Sequence, residues 1–162
     1  MIYKTEINFD GIAERIERLK DIPQRIEGIE LIVLFGRMVT GRRWLRENVD
    51  VAFQVAQLDE TKRRRIREGT FDALGTKDLD IAFLNDDLAY RLKWHIGWKG
   101  QLVYEAKKDL FVDYKILAAS MWFDFKPLWE RQLRAIRARK KKAKAGRKRA
   151  GKELKNRLGL PL

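Results

Sequence analysis

Cysteine is absent from this 162-residue sequence, and histidine occurs once, at His95. Without cysteine the chain has no disulfides, no thiolate metal ligands and no cysteine nucleophile. A single histidine excludes a histidine metal cluster and argues against a Ser-His-Asp triad. Any metal must therefore be held by carboxylates, which favours Mg or Mn.

Long apolar runs are also missing. No stretch approaches the ~18 consecutive apolar residues of a transmembrane helix, and the N-terminus lacks the basic start and apolar core of a secretion signal. We therefore expect a cytoplasmic protein without membrane contact. The 45% hydrophobic content is enough for the core of one domain, and the 36% charged residues together with the missing cysteine resemble a thermophile's composition.

Positive charge is concentrated at the C-terminal end. The formal net charge is +13, and residues 134–162 hold 13 Lys or Arg against one Glu, a net +12, so the first 133 residues carry about +1. A partner that is attracted by positive charge is therefore expected to contact this tail. The composition divides the chain into a domain of residues 1–139 and a basic tail of residues 140–162.

Apolar periodicity predicts alternating helices and strands. The predicted helices cover residues 8–27 (interrupted at Pro23), 57–74, 86–96 and 109–139, and the predicted strands cover residues 31–35, 49–55, 78–84 and 101–105. The last helix carries a broad aromatic and apolar stripe, which suits either core packing or a partner surface. A basic run at residues 62–65 suits a solvated helix face better than a phosphate cradle.

The stretch of residues 31–55 holds the most informative pattern. Gly36 and Arg37 end the first strand, ten residues follow, and then come Asn48, Val49 and Asp50 at the start of the second strand. A third strand again carries a carboxylate, Asp80, near its start. Strands that each bring an acidic residue to the same end of a sheet can place those residues side by side, which is the geometry a divalent metal needs.

This spacing resembles the G-S-x10-D-x-D signature of the polymerase-beta-like minimal nucleotidyltransferases. Other segments resemble the antitoxin (MNT) branch of that family: LDIAFLND at 79–86 is similar to V-D-V-V-D-L-N-D, GQLVYE at 100–105 to G-x-L-L-Y-E, and FDFKP at 123–127 to Y-x-D-F-K-P. The resemblance implies an α+β fold, with a small mixed nucleotidyltransferase-type sheet flanked by helices, a long C-terminal helix and a basic tail.

The resemblance also implies site residues. By it, Asp50, Asp80 and Asn48 occupy the metal-ligand positions, Asp80 is the catalytic carboxylate, and Gly36 and Arg37 contact the nucleotide. In active members, three carboxylates hold two Mg ions that bridge the triphosphate of ATP and the attacking hydroxyl. The cofactors implied are Mg and ATP if this chain is active, and none if it is not.

Two signature residues are replaced, since Arg37 stands for the serine and Asn48 for the first aspartate. Arg37 could grip a nucleotide phosphate, or it could pair with Asp50 or Asp80 and take the place of a metal. Two carboxylates and an arginine give a local charge near −1, whereas three carboxylates give −3, and a two-metal site depends on that negative potential. The substitutions therefore predict impaired catalysis.

Three functional hypotheses follow. The first is an antitoxin-like protein that neutralises a HEPN-type RNase toxin by binding it, as a homo- or hetero-oligomer. The second is an active enzyme that transfers AMP from ATP to a tyrosine hydroxyl of such a toxin. The third is a nucleic-acid-binding protein that acts through the basic tail.

Overall fold

The computed structural model describes residues 11–36, 39, 48–76 and 78–157. They form a sheet with helices on both faces. The elements in chain order are α1 Ile12–Arg18, a 3-10 turn Leu19–Asp21, α2 Ile22–Arg25, β1 Ile29–Phe35, β2 Val49–Val55, α3 Glu60–Leu74, β3 Leu79–Phe83, α4 Tyr90–Lys99, β4 Gln101–Glu105 and α5 Leu110–Arg157.

The sheet is mixed, with the strand order β3-β2-β1-β4. β1 runs antiparallel to both β2 and β4, whereas β2 and β3 run parallel. The parallel pair is joined through α3, as a parallel connection requires a crossover. This topology places the end of β1 beside the starts of β2 and β3.

Apolar residues cover both faces of the sheet because the side chains of a strand alternate between them. On one face Val49, Val51 and Phe53 of β2 pack against buried residues of the 3-10 turn, α2 and α3, such as Leu19 and Ile66. On the other face lie Leu31, Val33, Phe35, Ala52, Ile96 and Phe111. Helices on both faces explain why β1 is apolar almost throughout.

The ends of α3 follow from local chemistry. The side chain of Asp59 accepts a hydrogen bond from the backbone N–H of Lys62 at 2.7 Å, which satisfies a free donor of the first turn. Gly75 ends the helix with a left-handed conformation, at φ 65°, that glycine adopts at little cost. Aspartate and glycine are the residue types favoured at these two positions, so both ends of α3 are marked in the sequence itself.

The chain divides into two compact units, Met1–Trp122 and Phe123–Leu162. The first holds the sheet, α1 to α4 and the beginning of α5. The described part of the second, residues 123–157, is the continuation of α5, where Lys126 lies 4.0 Å from Glu130. The boundary at residues 139 and 140, drawn from charge, stays a prediction.

The predicted elements agree with the structure except at their ends. β2 and β4 have the predicted bounds, and the helix of residues 8–27 is interrupted ahead of Pro23, which lies in the first turn of α2; residues 8–10 lie outside the described residues. The sequence predicted a last helix of residues 109–139, followed by a basic tail that is either a helix that frays or disordered alone; in the structure both are one helix, since α5 continues to Arg157. Ala, Lys and Arg favour helix, and proline does not recur before Pro161.

Candidate functional site

Two carboxylates meet at one end of the sheet. Asp50 of β2 and Asp80 of β3 are partners in the parallel register. Both lie on the sheet face that carries Ala52 and Ala82, since each is two residues from one of these alanines. Asp50 is half-buried and Asp80 is exposed. The structure therefore brings together the two aspartates that the sequence assigned to one site.

Gly36 makes room for one of these carboxylates. It has φ +79°, a conformation that residues with a side chain rarely adopt, and a Cβ atom at this position would overlap the Asp50 carboxylate. Phe35, the residue before Gly36, is the register partner of Asp50 in the antiparallel pair of β1 and β2. The resemblance implied a nucleotide contact for Gly36, and the structure shows a different reason for glycine here, which is the packing of Asp50.

Asn48 lies directly before β2, and its side chain turns towards the site. Its amide Nδ2 donates a hydrogen bond to Oδ2 of Asp80 at 3.0 Å. A carboxylate in place of Asn48 would repel Asp80 at this distance unless a cation lay between them. The position that holds the first aspartate of the signature is therefore filled here by a neutral donor.

The described residues do not fit a two-metal centre. Among them, no group of three or more His, Asp or Glu side chains is placed to hold a metal ion. Asp50 and Asp80 supply two formal negative charges, and Asn48 directs a donor, not an acceptor, at Asp80. Arg37, predicted to contact a nucleotide or to pair with these carboxylates, lies outside the described residues.

Asn85 and Asp86, which carried part of the family resemblance, stabilise the fold at the other end of β2. The Asn85 side chain accepts a hydrogen bond from the backbone N–H of Val55 and donates one to its carbonyl, at 3.0 and 2.7 Å. Asp86 binds the guanidinium of Arg63 through two hydrogen bonds, one of 2.9 Å. This hydrogen bonding lowers the pKa of Asp86 and raises the pKa of Arg63.

The basic run at residues 62–65 is also structural. Lys62 donates to the backbone carbonyls of Ala56 and Gln57, each at 3.1 Å, and Arg65 donates to the carbonyl of Arg25 at 2.8 Å. These bonds use the charged groups to hold α3 against its neighbours. The interpretation of this run as a helix face, in preference to a phosphate cradle, agrees with these contacts.

Other features of the first unit are explained by packing. His95 of α4 lies next to Trp94, and burial lowers its pKa, helped by the charges of Lys99 and Arg91. A cleft between α2 and α3 contains neither Asp50 nor Asp80, and its charged lining residues balance in sign: Arg18, Arg25 and Arg65 against Asp21, Glu68 and Asp72. Balanced charge does not attract a triphosphate selectively.

The mixed sheet and the paired aspartates define a protein of the nucleotidyltransferase class. The chain belongs to the family described as Polymerase beta, Nucleotidyltransferase, whose model matches residues 17–109. The matched range includes Gly36, Asp50 and Asp80. No curated protein matches the sequence.

Solved structures of toxin–antitoxin complexes share the fold. A toxin–antitoxin with AMP-PNP has a chain with a TM-score of 0.63 and 18% identity, over 75% of this chain and 97% of that one. A complex of tri-AMPylated Shewanella oneidensis HEPN toxin with MNT antitoxin has a chain with a TM-score of 0.60 and 17% identity, over 76% of this chain and 97% of that one. The toxin–antitoxin MntA-HepT has a chain with the same TM-score, identity and coverage. The resemblance to the minimal nucleotidyltransferases and the α+β fold class are thus confirmed.

Proposed function

We propose that this chain is an antitoxin that neutralises a HEPN-type RNase toxin by binding it, and that nucleotide transfer is not needed for the neutralisation. The family and the fold shared with MNT antitoxin structures support the type of protein. The single observation that carries the binding mechanism is the hydrogen bond from Asn48 to Asp80, because it places a neutral donor where catalysis needs a third carboxylate.

Electrostatics supports the same conclusion. Two Mg ions bring a charge of +4, and their binding depends on a strongly negative site. Asp50 and Asp80 provide only two negative charges, and Asn48 contributes none. The Mg and ATP that the family typically uses would therefore bind weakly at the described residues, and we assign them no role in neutralisation.

Exposed apolar residues on α5 support a protein partner. In the first unit, Val112, Ile116 and Leu117 have 49%, 64% and 55% of their surface exposed, and in the second unit Phe123 has 59%. The apolar stripe was predicted to serve either core packing or a partner. Phe111, Ala118 and Trp122 are buried, whereas these neighbours are open to binding.

Co-expression with a HEPN-type RNase from the same organism tests the proposal. We expect Asp50→Asn/Asp80→Asn to rescue growth as well as the wild type, since binding needs neither carboxylate. Ile116→Glu/Leu117→Glu should lose both rescue and co-purification of the toxin, because it places charge on the apolar surface. Loss of rescue by the Asn variant, with the fold retained, would contradict neutralisation by binding alone.

Nucleotide binding provides a separate measurement. Isothermal titration and thermal shift with ATP and Mg should give little or no response. A micromolar, Mg-dependent response would contradict the proposal.

The alternative is an active enzyme that transfers AMP from ATP to a tyrosine hydroxyl of the toxin and releases pyrophosphate. The observation in its favour is that Asp50 and Asp80 are register partners and that Gly36 lies against Asp50. Incubation of the purified pair with ATP labelled at the α-phosphate distinguishes the two: label on the toxin establishes transfer, and its absence agrees with binding alone. The cytoplasmic location, the thermophilic source and the oligomeric state stay predictions.

A further inference from the structure

The second half of α5 carries a dense positive charge that the nucleotidyltransferase site does not use. Residues 131–157 hold 14 Lys or Arg and one acidic residue, Glu153, which gives a net +13. This segment of 27 residues is about 40 Å long at 1.5 Å per residue. Its charge density, about one per 3 Å, is close to the one phosphate per 3.4 Å of a DNA strand.

The basic side chains that the structure describes in this segment are open to solvent and unpaired. Eleven of them are described, all are exposed, and none forms an ion pair with another described residue; they are Arg131, Arg134, Arg137, Arg139, Lys140, Lys141, Lys142, Lys144, Arg147, Arg149 and Arg157. Several lie three or four residues apart, where like charges on a helix repel each other. A polyanion would relieve this repulsion.

The charges surround the helix. At 3.6 residues per turn, Arg131, Lys142 and Arg149 lie along one side, and Lys140 and Arg147 lie along the opposite side. A flat acidic surface can contact only one side of such a helix and leaves the other side's charges without partners. A groove with phosphates on both walls can neutralise both sides at once.

The composition of this segment excludes other modes of binding. It has no aromatic residue, so it offers no platform on which the bases of a single strand could stack. Its large apolar residues are only Leu133, Ile136 and Leu154, whereas a helix that lies in a membrane surface needs a broad apolar face. The major groove of B-form DNA is about 12 Å wide and admits an α-helix, whereas that of A-form RNA is too narrow.

We propose that residues 131–157 of α5 bind duplex DNA, with the helix in the major groove and the Arg and Lys side chains on the phosphates of both strands. Binding through phosphates does not depend on base sequence. It is independent of Asp50 and Asp80 and goes beyond the neutralisation of a toxin.

Fluorescence anisotropy of the full chain with labelled duplexes of about 24 base pairs tests this proposal; that length is roughly twice the span of the basic segment. We expect equal affinity for two unrelated DNA sequences and weaker binding to duplex RNA of the same length. Between about 50 and 200 mM salt, six to ten phosphate contacts lower the affinity by roughly 10³- to 10⁵-fold.

Two matched variants locate the contacts. Arg137→Gln/Lys140→Gln/Lys141→Gln/Lys144→Gln removes four charges from the basic segment, and glutamine keeps a similar helix propensity. It should make the slope of log affinity against log salt shallower by about 3.6. The control Arg64→Gln/Lys99→Gln/Lys107→Gln/Lys108→Gln removes four exposed charges from the first unit and should bind DNA as the wild type does.

Several results would overturn the proposal. Equal loss in both variants would show that net charge, and not this segment, determines binding. Equal affinity for duplex RNA would contradict the groove assignment. Binding to phosphatidylserine vesicles without binding to DNA would assign the segment to a membrane surface. Circular dichroism of both variants checks that their helix content is unchanged.

Discussion

Asn48→Asp should make the stability of this protein depend on Mg. The substitution restores the third carboxylate of the signature and removes the hydrogen bond that Asn48 donates to Asp80. Without metal, two carboxylates then face each other. With Mg, the same groups and Asp50 supply three carboxylates that can bind the ion.

The size of the effect follows from the observed geometry. Two like charges 3.0 Å apart repel by at most about 1.4 kcal/mol at the dielectric constant of water, which applies because Asp80 is exposed. The lost hydrogen bond adds about 0.5–1.5 kcal/mol. A total of about 2–3 kcal/mol lowers the Tm of a chain of this size by roughly 4–12 °C.

Thermal unfolding with and without Mg measures this effect. Asn48→Asp should unfold at a lower temperature than the wild type without Mg and should recover when Mg is added, whereas the wild type should not respond. Asn48→Ala loses the same hydrogen bond without adding charge and should show no recovery. Asn85→Asp adds a carboxylate at the other end of β2, and its Tm should likewise be the same with and without Mg.

Two results would refute this reasoning. If the Tm of Asn48→Asp equals that of the wild type without Mg and does not move with Mg, the side chain of residue 48 does not face Asp80. If the wild type itself gains as much from Mg as the variant does, Asn48 does not impair metal binding.

Further substitutions test other contacts. Gly36→Ala should lower the free energy of unfolding by at least about 1–2 kcal/mol, because of the positive φ and the overlap with the neighbouring carboxylate. Gly69→Ala, inside α3, should be neutral or stabilising, because its Cβ would make only ordinary van der Waals contact with Ile22, and alanine favours helix. Urea unfolding measures both. Hydrogen bonds from Arg63 lower the pKa of Asp86. The stability that ionised Asp86 contributes is therefore present above the ordinary pKa of aspartate and is lost as the pH falls through the lower pKa of the folded state. Asp86→Asn should reduce the difference between the free energies of unfolding in urea at pH 5 and at pH 3. Tyr114→Phe should cost about 1 kcal/mol in thermal unfolding, since its hydroxyl donates to a carbonyl of α4.

Each of these has a contrary outcome. Equal stability of the two glycine variants would contradict the close approach at Gly36. An unchanged acid dependence in Asp86→Asn would assign that dependence to other carboxylates. A Tyr114→Phe protein as stable as the wild type would mean that the hydrogen bond from the Tyr114 hydroxyl to α4 is no stronger than the one that this hydroxyl makes to water in the unfolded chain.

The sequence alone was sufficient for the order and type of the elements. Alternation and apolar runs gave the bounds of β2 and β4, and Asp59 and Gly75 marked the ends of α3, because these signals act between residues close in the chain. The ten-residue gap before Asn48 indicated the family. Local signals left open whether the basic tail is helical, because the apolar positions end near residue 139; helix propensity continues α5 to Arg157.

Only the tertiary structure decided how the site is arranged. The pairing of Asp50 with Asp80 depends on the register of two strands joined through α3, and the bond from Asn48 to Asp80 joins residues 32 positions apart. The roles of Asn85 and Asp86 likewise depend on partners in β2 and α3. The sequence determined that Arg37 and Asn48 replace two residues of the nucleotidyltransferase signature. The fold determined that Gly36 makes room for Asp50 and that Asn48 turns its amide towards Asp80, because both depend on how distant segments pack.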